Sequence, residues 1–166
     1  MELKGLVNDC KGSKGGIQTV WIADYRANEF VDADGKLNTK GTDIAWKKYY
    51  VKPNSSSLNQ TLNTAPENGV CYVTAELSLV FNRMDTVKRL EMSALTLSET
   101  MAVVKDSNGH YWVLGENEPV YASSAAGETG VNKGDGNKYS ITLSNDSDTW
   151  IKEASQELID VVEGVA

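Results

Sequence analysis

His110 is the chain's only histidine, which makes it the first side chain to weigh as a general base. An imidazole works in catalysis when a nucleophile is held against it and a third group orients it. Nothing around it (Asp106-Ser107-Asn108-Gly109-His110-Tyr111-Trp112) marks such a partner, and an ordinary strand residue beside a turn is the plainer reading. Cys10 and Cys71 stand apart, neither in a C-x-x-C pair. Two isolated thiols and one imidazole make a poor zinc set. Cys71 reads as a small buried apolar residue of a strand in a reduced, intracellular setting. Cys10, flanked by Asn8, Asp9 and Lys11, also admits an exposed thiol.

The run Gly12-Ser13-Lys14-Gly15-Gly16 has the composition of a phosphate loop without its spacing. A P-loop follows a strand and opens a helix; this run precedes a strand and reads as a flexible entry loop. Asp32-Ala33-Asp34-Gly35 and Gly134-Asp135-Gly136-Asn137 echo calcium loops. With glycine at the sixth position, the first would be Phe30 or Val131, neither of them a ligand, so the EF-hand template is broken in both and only a weak surface cation site is left. Two carboxylates could flank a glycosidic bond, but nothing singles out a pair. Trp21, Trp46, Trp112 and Trp150, with seven tyrosines, suit core and interface packing, or alternatively a carbohydrate platform. No catalytic residue, metal site or cofactor is expected from these patterns.

Composition narrows the classes further. The 166 residues fit one domain with a sizeable core, and 40% hydrophobic with 23% charged residues is ordinary for a soluble globular protein. No apolar run approaches the roughly 20 residues that span a bilayer, so membrane insertion is not expected. The opening Met1-Glu2-Leu3-Lys4-Gly5-Leu6-Val7-Asn8 lacks an apolar leader region, so no secretory signal is expected. The acceptor sequons at Asn54, Asn59 and Asn145 then read as chance in a Ser- and Asn-rich chain. A net charge of −7 lacks the basic footprint with which proteins grip nucleic acid.

The elements that must position these side chains are mostly strands. Ile17 to Tyr25 carries apolar residues in both alternating sets, which predicts a strand at least partly covered on both faces. Residues 26–68 are the least core-like section: a loop with a short hairpin around Asp34-Gly35, aromatics at Trp46, Tyr49 and Tyr50, and a polar strand over Leu58 to Asn63. Val70 to Asn82 alternates most clearly, with Val73, Ala75, Leu77, Leu79 and Phe81 on one face and Thr74, Glu76, Ser78 and Asn82 on the other. The period then changes. Met84, Val87, Leu90, Ala94 and Leu97 predict a short amphipathic helix over 85–97, capped by Asp85 or Thr86, with an Asp85–Arg89 pair. A hairpin joins Thr100–Lys105 to His110–Leu114 through Asn108-Gly109. A Gly- and Ser-rich stretch over 122–137 leads to a strand at Lys138–Ser144. A last helix over 148–162 would present Ile151, Ala154, Leu158, Ile159 and Val162, with Asp148 as its cap. The expected class is mainly β, a single-domain sandwich or barrel with one short internal helix and a C-terminal helix.

Three segments in this order carry a resemblance. They are Cys10-Lys11-Gly12-Ser13-Lys14-Gly15-Gly16-Ile17-Gln18-Thr19-Val20-Trp21-Ile22-Ala23, the hairpin Val103 to Gly115, and the stretch Ser124 to Gly130 continued by Gly134 to Leu143. Together they resemble virion structural proteins of tail-tube or tail-ring type from phages and prophages of Bacteroidetes-like hosts. The resemblance covers the first strand and most of the chain after residue 70, leaves 26–68 unmatched, and contains no single diagnostic motif. It implies a tail-tube-like β-sandwich or barrel with a helix on one side, subunits in rings, rings stacked around a DNA-conducting channel, and no catalysis. The implied partners are further copies of the chain and other virion tail proteins, with DNA only as non-specific cargo. The implied location is the virion tail, after synthesis in the host bacterial cytoplasm.

The residue patterns suggest where such contacts would fall. A tube wall removes sheet edges by closing the sheet on itself. The strand of Val73, Ala75, Leu77, Leu79 and Phe81 is the expected wall, and an acidic surface suits a wall past which DNA slides without sticking. Trp46, Tyr49, Tyr50 and Leu58 mark the expected inter-subunit arm, so deleting 46–63 is expected to abolish polymerisation and leave a folded monomer. Two other readings stay open. One is a head-to-tail connector ring, stopper or minor capsid protein; the other, of a different class, is a monomeric β-sandwich that binds carbohydrate or peptide. An enzyme fits least.

Overall fold

Val20 and Ile22 point to one side of the first strand and Trp21 and Ala23 to the other, and all four are buried. A strand covered on both faces belongs inside a layered structure. In the computed structural model of the chain, which describes residues 2–164, β1 (Ile17–Asp24) lies in that position. It is followed by β2 (Phe30–Ala33), β3 (Lys36–Thr39) and β4 (Lys47–Tyr50). Next comes a long hairpin of β5 (Ser57–Ala65) and β6 (Val70–Asn82), with a 3-10 turn over Pro66–Asn68 at its tip. Then follow α1 (Thr86–Leu97), β7 (Thr100–Asp106), β8 (Tyr111–Leu114) and β9 (Tyr121–Glu128). β10 (Lys138–Ser147), β11 (Lys152–Ala154) and α2 (Gln156–Glu163) complete the described chain.

The strands form two packed sheets, one of seven strands in the order β2-β3-β11-β8-β7-β1-β4 and one of four in the order β5-β6-β10-β9. The mainly β class with one internal and one C-terminal helix holds. Val20, Ile22, Leu77, Leu79, Val104, Leu114, Ile141 and Leu143 fill the space between the sheets, with Met92 and Leu95 of α1. Trp21, Leu37, Met101, Val103 and Val113 face the other way, where Leu158 and Val162 of α2 cover them. The layers are therefore the four-stranded sheet, the seven-stranded sheet and α2. The Ile17 end of β1 borders Leu58 and Gln60 of β5, while its Asp24 end pairs with Thr100, which bridges to Val120 at the start of β9.

Several expectations change. The section 26–68 is built into the body: β2, β3 and β4 belong to the seven-stranded sheet and β5 to the four-stranded one, and Leu37, Phe30, Ile44 and Val51 are buried. Deleting 46–63 would remove β4 and most of β5, strands of both sheets, so the deletion is now expected to destabilise the fold itself. Cys71 is exposed, as is Cys10, and both thiols are free. The C-terminal helix starts later than expected, because Lys152–Ala154 pairs with β3 and β8 as a strand. Its cap is Ser155, whose hydroxyl accepts the Leu158 N–H at 3.2 Å. Asp85 does cap α1, accepting the Lys88 N–H at 2.8 Å, but its ion pair is with Lys88 at 3.1 Å and not with Arg89. Within α1 the buried residues are Met92 and Leu95, whereas Val87, Leu90, Ala94 and Leu97 face outward. Met1, at the head of the segment read for a leader, lies outside the described residues.

Candidate functional site

The pairing register sorts the four-stranded sheet into two faces. Leu58, Val73, Ala75, Leu77, Leu79, Ile141 and Leu143 form the inner set. The outer set is Asn59, Thr61 and Asn63 of β5, then Val70, Tyr72, Thr74, Glu76, Ser78 and Val80 of β6. It continues with Ser140, Thr142, Ser144 and Asp146 of β10, and Ser124, Ala126 and Glu128 of β9. Hydroxyls and amides make up much of this outer face, beside Val70, Tyr72, Val80 and Tyr121, and several of them bond to one another. Asn63 donates to Thr74 Oγ1 at 2.9 Å, and Thr74 donates to Asp146 at 2.6 Å. Ser78 and Thr142 lie 3.4 Å apart. The charges on it are Glu76, Asp146 and Glu128 against Lys138, and Lys138 is itself 3.6 Å from Glu128. Such a face offers no net cationic grip on phosphate.

The margins of the sheet are its second property. β5 has nine residues and β9 has eight, both longer than the usual five or six. Neither holds a Lys, Arg or Pro, the residues that commonly guard an open edge, although β9 carries a bulge at Ser123. Every residue of β9 except Ala122 is exposed. The seven-stranded sheet ends otherwise: β2 and β4 have four residues each, and β4 carries Lys47 and Lys48. The one sheet with guarded, short margins and the other with long bare ones share a single chain.

Of the residues named from sequence for the wall strand, Val73, Ala75, Leu77 and Leu79 are buried on the core side of β6 and Phe81 is half-buried against Tyr49. The arm residues do not form an arm. Trp46 packs into the core beneath α2, and Leu58 and Tyr49 into the core between the sheets. Tyr49 also donates to Glu91, and burial together with that carboxylate pushes its phenol well above the ordinary range. Tyr50 alone of the four is exposed. Sequence reasoning missed β9, whose Ser-Ser-Ala-Ala core has no apolar alternation; its signal was the absence of any edge-guarding residue.

The chemistry-bearing residues go to structural work. His110 Nδ1 lies 2.9 Å from Glu153, which also pairs with Lys36 at 3.0 Å. The hydrogen bond to Glu153 raises the imidazole pKa, and the bond from His110 lowers that of the carboxyl. No hydroxyl or thiol is hydrogen-bonded to this ring among the described residues. Asp34 and Gly35 take φ of 55° and 83° in the β2–β3 turn, and Asp32 accepts the Gly35 N–H at 2.9 Å while pairing with Lys152 at 2.8 Å. Asp135 accepts the N–H groups of Val131 and Asn132, bonds that lower its pKa. Among the described residues no group of three or more His, Cys, Asp or Glu could hold a metal ion. No described helix is long and apolar enough to cross a membrane. No protein-family model matches the sequence, and none of the curated proteins compared with it matches.

Proposed function

We propose that this chain is the structural subunit of a bacteriophage tail tube, assembling into stacked rings whose inner wall is the four-stranded sheet. The observation that carries this reading is the pair of long edges free of Lys, Arg and Pro, β5 and β9, bordering a largely polar sheet face with little positive charge. An exposed edge of that length is a template for another strand. The four strands alternate in direction, so a copy related by rotation presents its β5 antiparallel to β9. A ring of such copies closes an all-antiparallel barrel, which removes every free edge of that sheet. The hydroxyl-rich outer face then lines the channel, and DNA passes it as cargo held by no cluster of cations.

This reading assigns no catalysis and no cofactor to the chain. Its partners are further copies and the other proteins of the tail, and its place is the virion. Purified protein at rising concentration is expected to form rings or tubes with a central channel in negative-stain micrographs. Long tubes favour the tail tube over a connector that stops at discrete rings. A monomer that stays monomeric at every concentration would contradict both.

A further inference from the structure

Two apolar features of the molecule have no partner on their own copy. The first is the segment before β1: residues 2–13 form neither helix nor strand, and Leu3, Leu6 and Val7 are 90% to 100% exposed. The second is the outward stripe of α1, where Val87, Leu90 and Leu97 are 57% to 87% exposed. A groove of about 430 Å³ runs between α1 and β9; Leu97 of the stripe lines it with Met92, Ala125 and Tyr139, and Arg89, Ser93 and Thr96 form the polar part of its α1 wall. Gly127 keeps it open, because a Cβ there would come within 2.9 Å of the Tyr139 ring.

The segment is loose but its root is fixed. Asn108 in the β7–β8 turn accepts the Lys14 N–H at 2.9 Å and donates to the Lys14 carbonyl at 3.0 Å. Its root therefore leaves the body at the Ile17 end of β1, beside β5. The groove lies at the other end, beside β9, where α1 runs into Thr100 opposite Asp24. Along β1 the two ends are about 25 Å apart, and twelve extended residues reach about 40 Å.

We propose that Leu3, Leu6 and Val7 of one copy seat in the α1–β9 groove of the next copy around the ring. The inference rests on the ring reading above. When the β5 edge of one copy meets the β9 edge of its neighbour, the segment rooted beside β5 emerges at the neighbour's groove, while its own groove is at the far end of the sheet. Each copy gives one segment and receives one, so the contact is head-to-tail and repeats around a closed ring. Leu97 and Met92 on the α1 side and the apolar residues of the segment are then buried together.

Disulfide trapping tests this on the full chain. In a background of Cys10→Ser and Cys71→Ser, Leu6→Cys is combined with Leu97→Cys and the protein is oxidised at assembling concentration. The expected result is a ladder of covalent dimers, trimers and longer multimers from the double variant, with no ladder from either single variant. A covalently closed monomer, or no cross-link, overturns the proposal. A ladder from protein that shows no rings or tubes in micrographs leaves the segment exchange standing and sinks the ring reading.

Discussion

At Gly115 the backbone has a φ of 94°, and a Cβ there would lie 2.8 Å from Met101 Cβ and 3.0 Å from its Cα. Met101 is fully buried at the start of β7, so neither chain can retreat. Gly115→Ala combines left-handed strain with overpacking and is expected to lower stability by about 2–4 kcal/mol. Urea titration would show this as a lower midpoint with an unchanged slope; an unchanged midpoint would mean that the β8–β9 connection has slack which the geometry does not show. Some residue roles were legible in sequence: Asp34-Gly35 makes the tight turn its composition suggests, and Asp85 caps α1. Others were not. Cys71 reads as buried because strand cysteines usually are, yet β6 runs beyond its pairing with β10, which ends at Val73 opposite Ser147, so nothing covers the three residues before it.

At the scale of elements, β6 was legible because a strand buried on one face writes period-two alternation into its sequence. β9 was not, because an edge strand with small polar residues has no such constraint. α1 shows a subtler limit. It carries two apolar stripes, one through Met92 and Leu95 and one through Val87, Leu90 and Leu97, nearly opposite on a helix of about 100° per residue. Periodicity detects a stripe without saying which of two faces the core, and the one read from sequence is the one left outside. The proposed seam can be tested with charge. Thr61 and Ser124 lie on the outer face of the two edge strands, so Thr61→Lys with Ser124→Lys places a lysine, the usual edge guard, on each margin. Assembly is expected to be lost with little change in melting temperature. If the double-lysine protein assembles as well as the native one, the seam lies elsewhere.

At the scale of the molecule, the two sheets divide the work. The seven-stranded sheet is buried on much of both faces, holds short edges with lysines at one of them, and is backed by α2. The four-stranded sheet has one face in the core, one polar face outside, and two long bare margins. In the assembly proposed above, another copy would satisfy the open backbone of β5 and β9. Amide hydrogen exchange measured at dilute and at assembling concentration tests that claim most directly. Tube assembly predicts that amides of β5 and β9 become strongly protected on concentration while those of β2 and β4 are unchanged. Protection confined to β2 and β4, or no protection at any concentration, would contradict it.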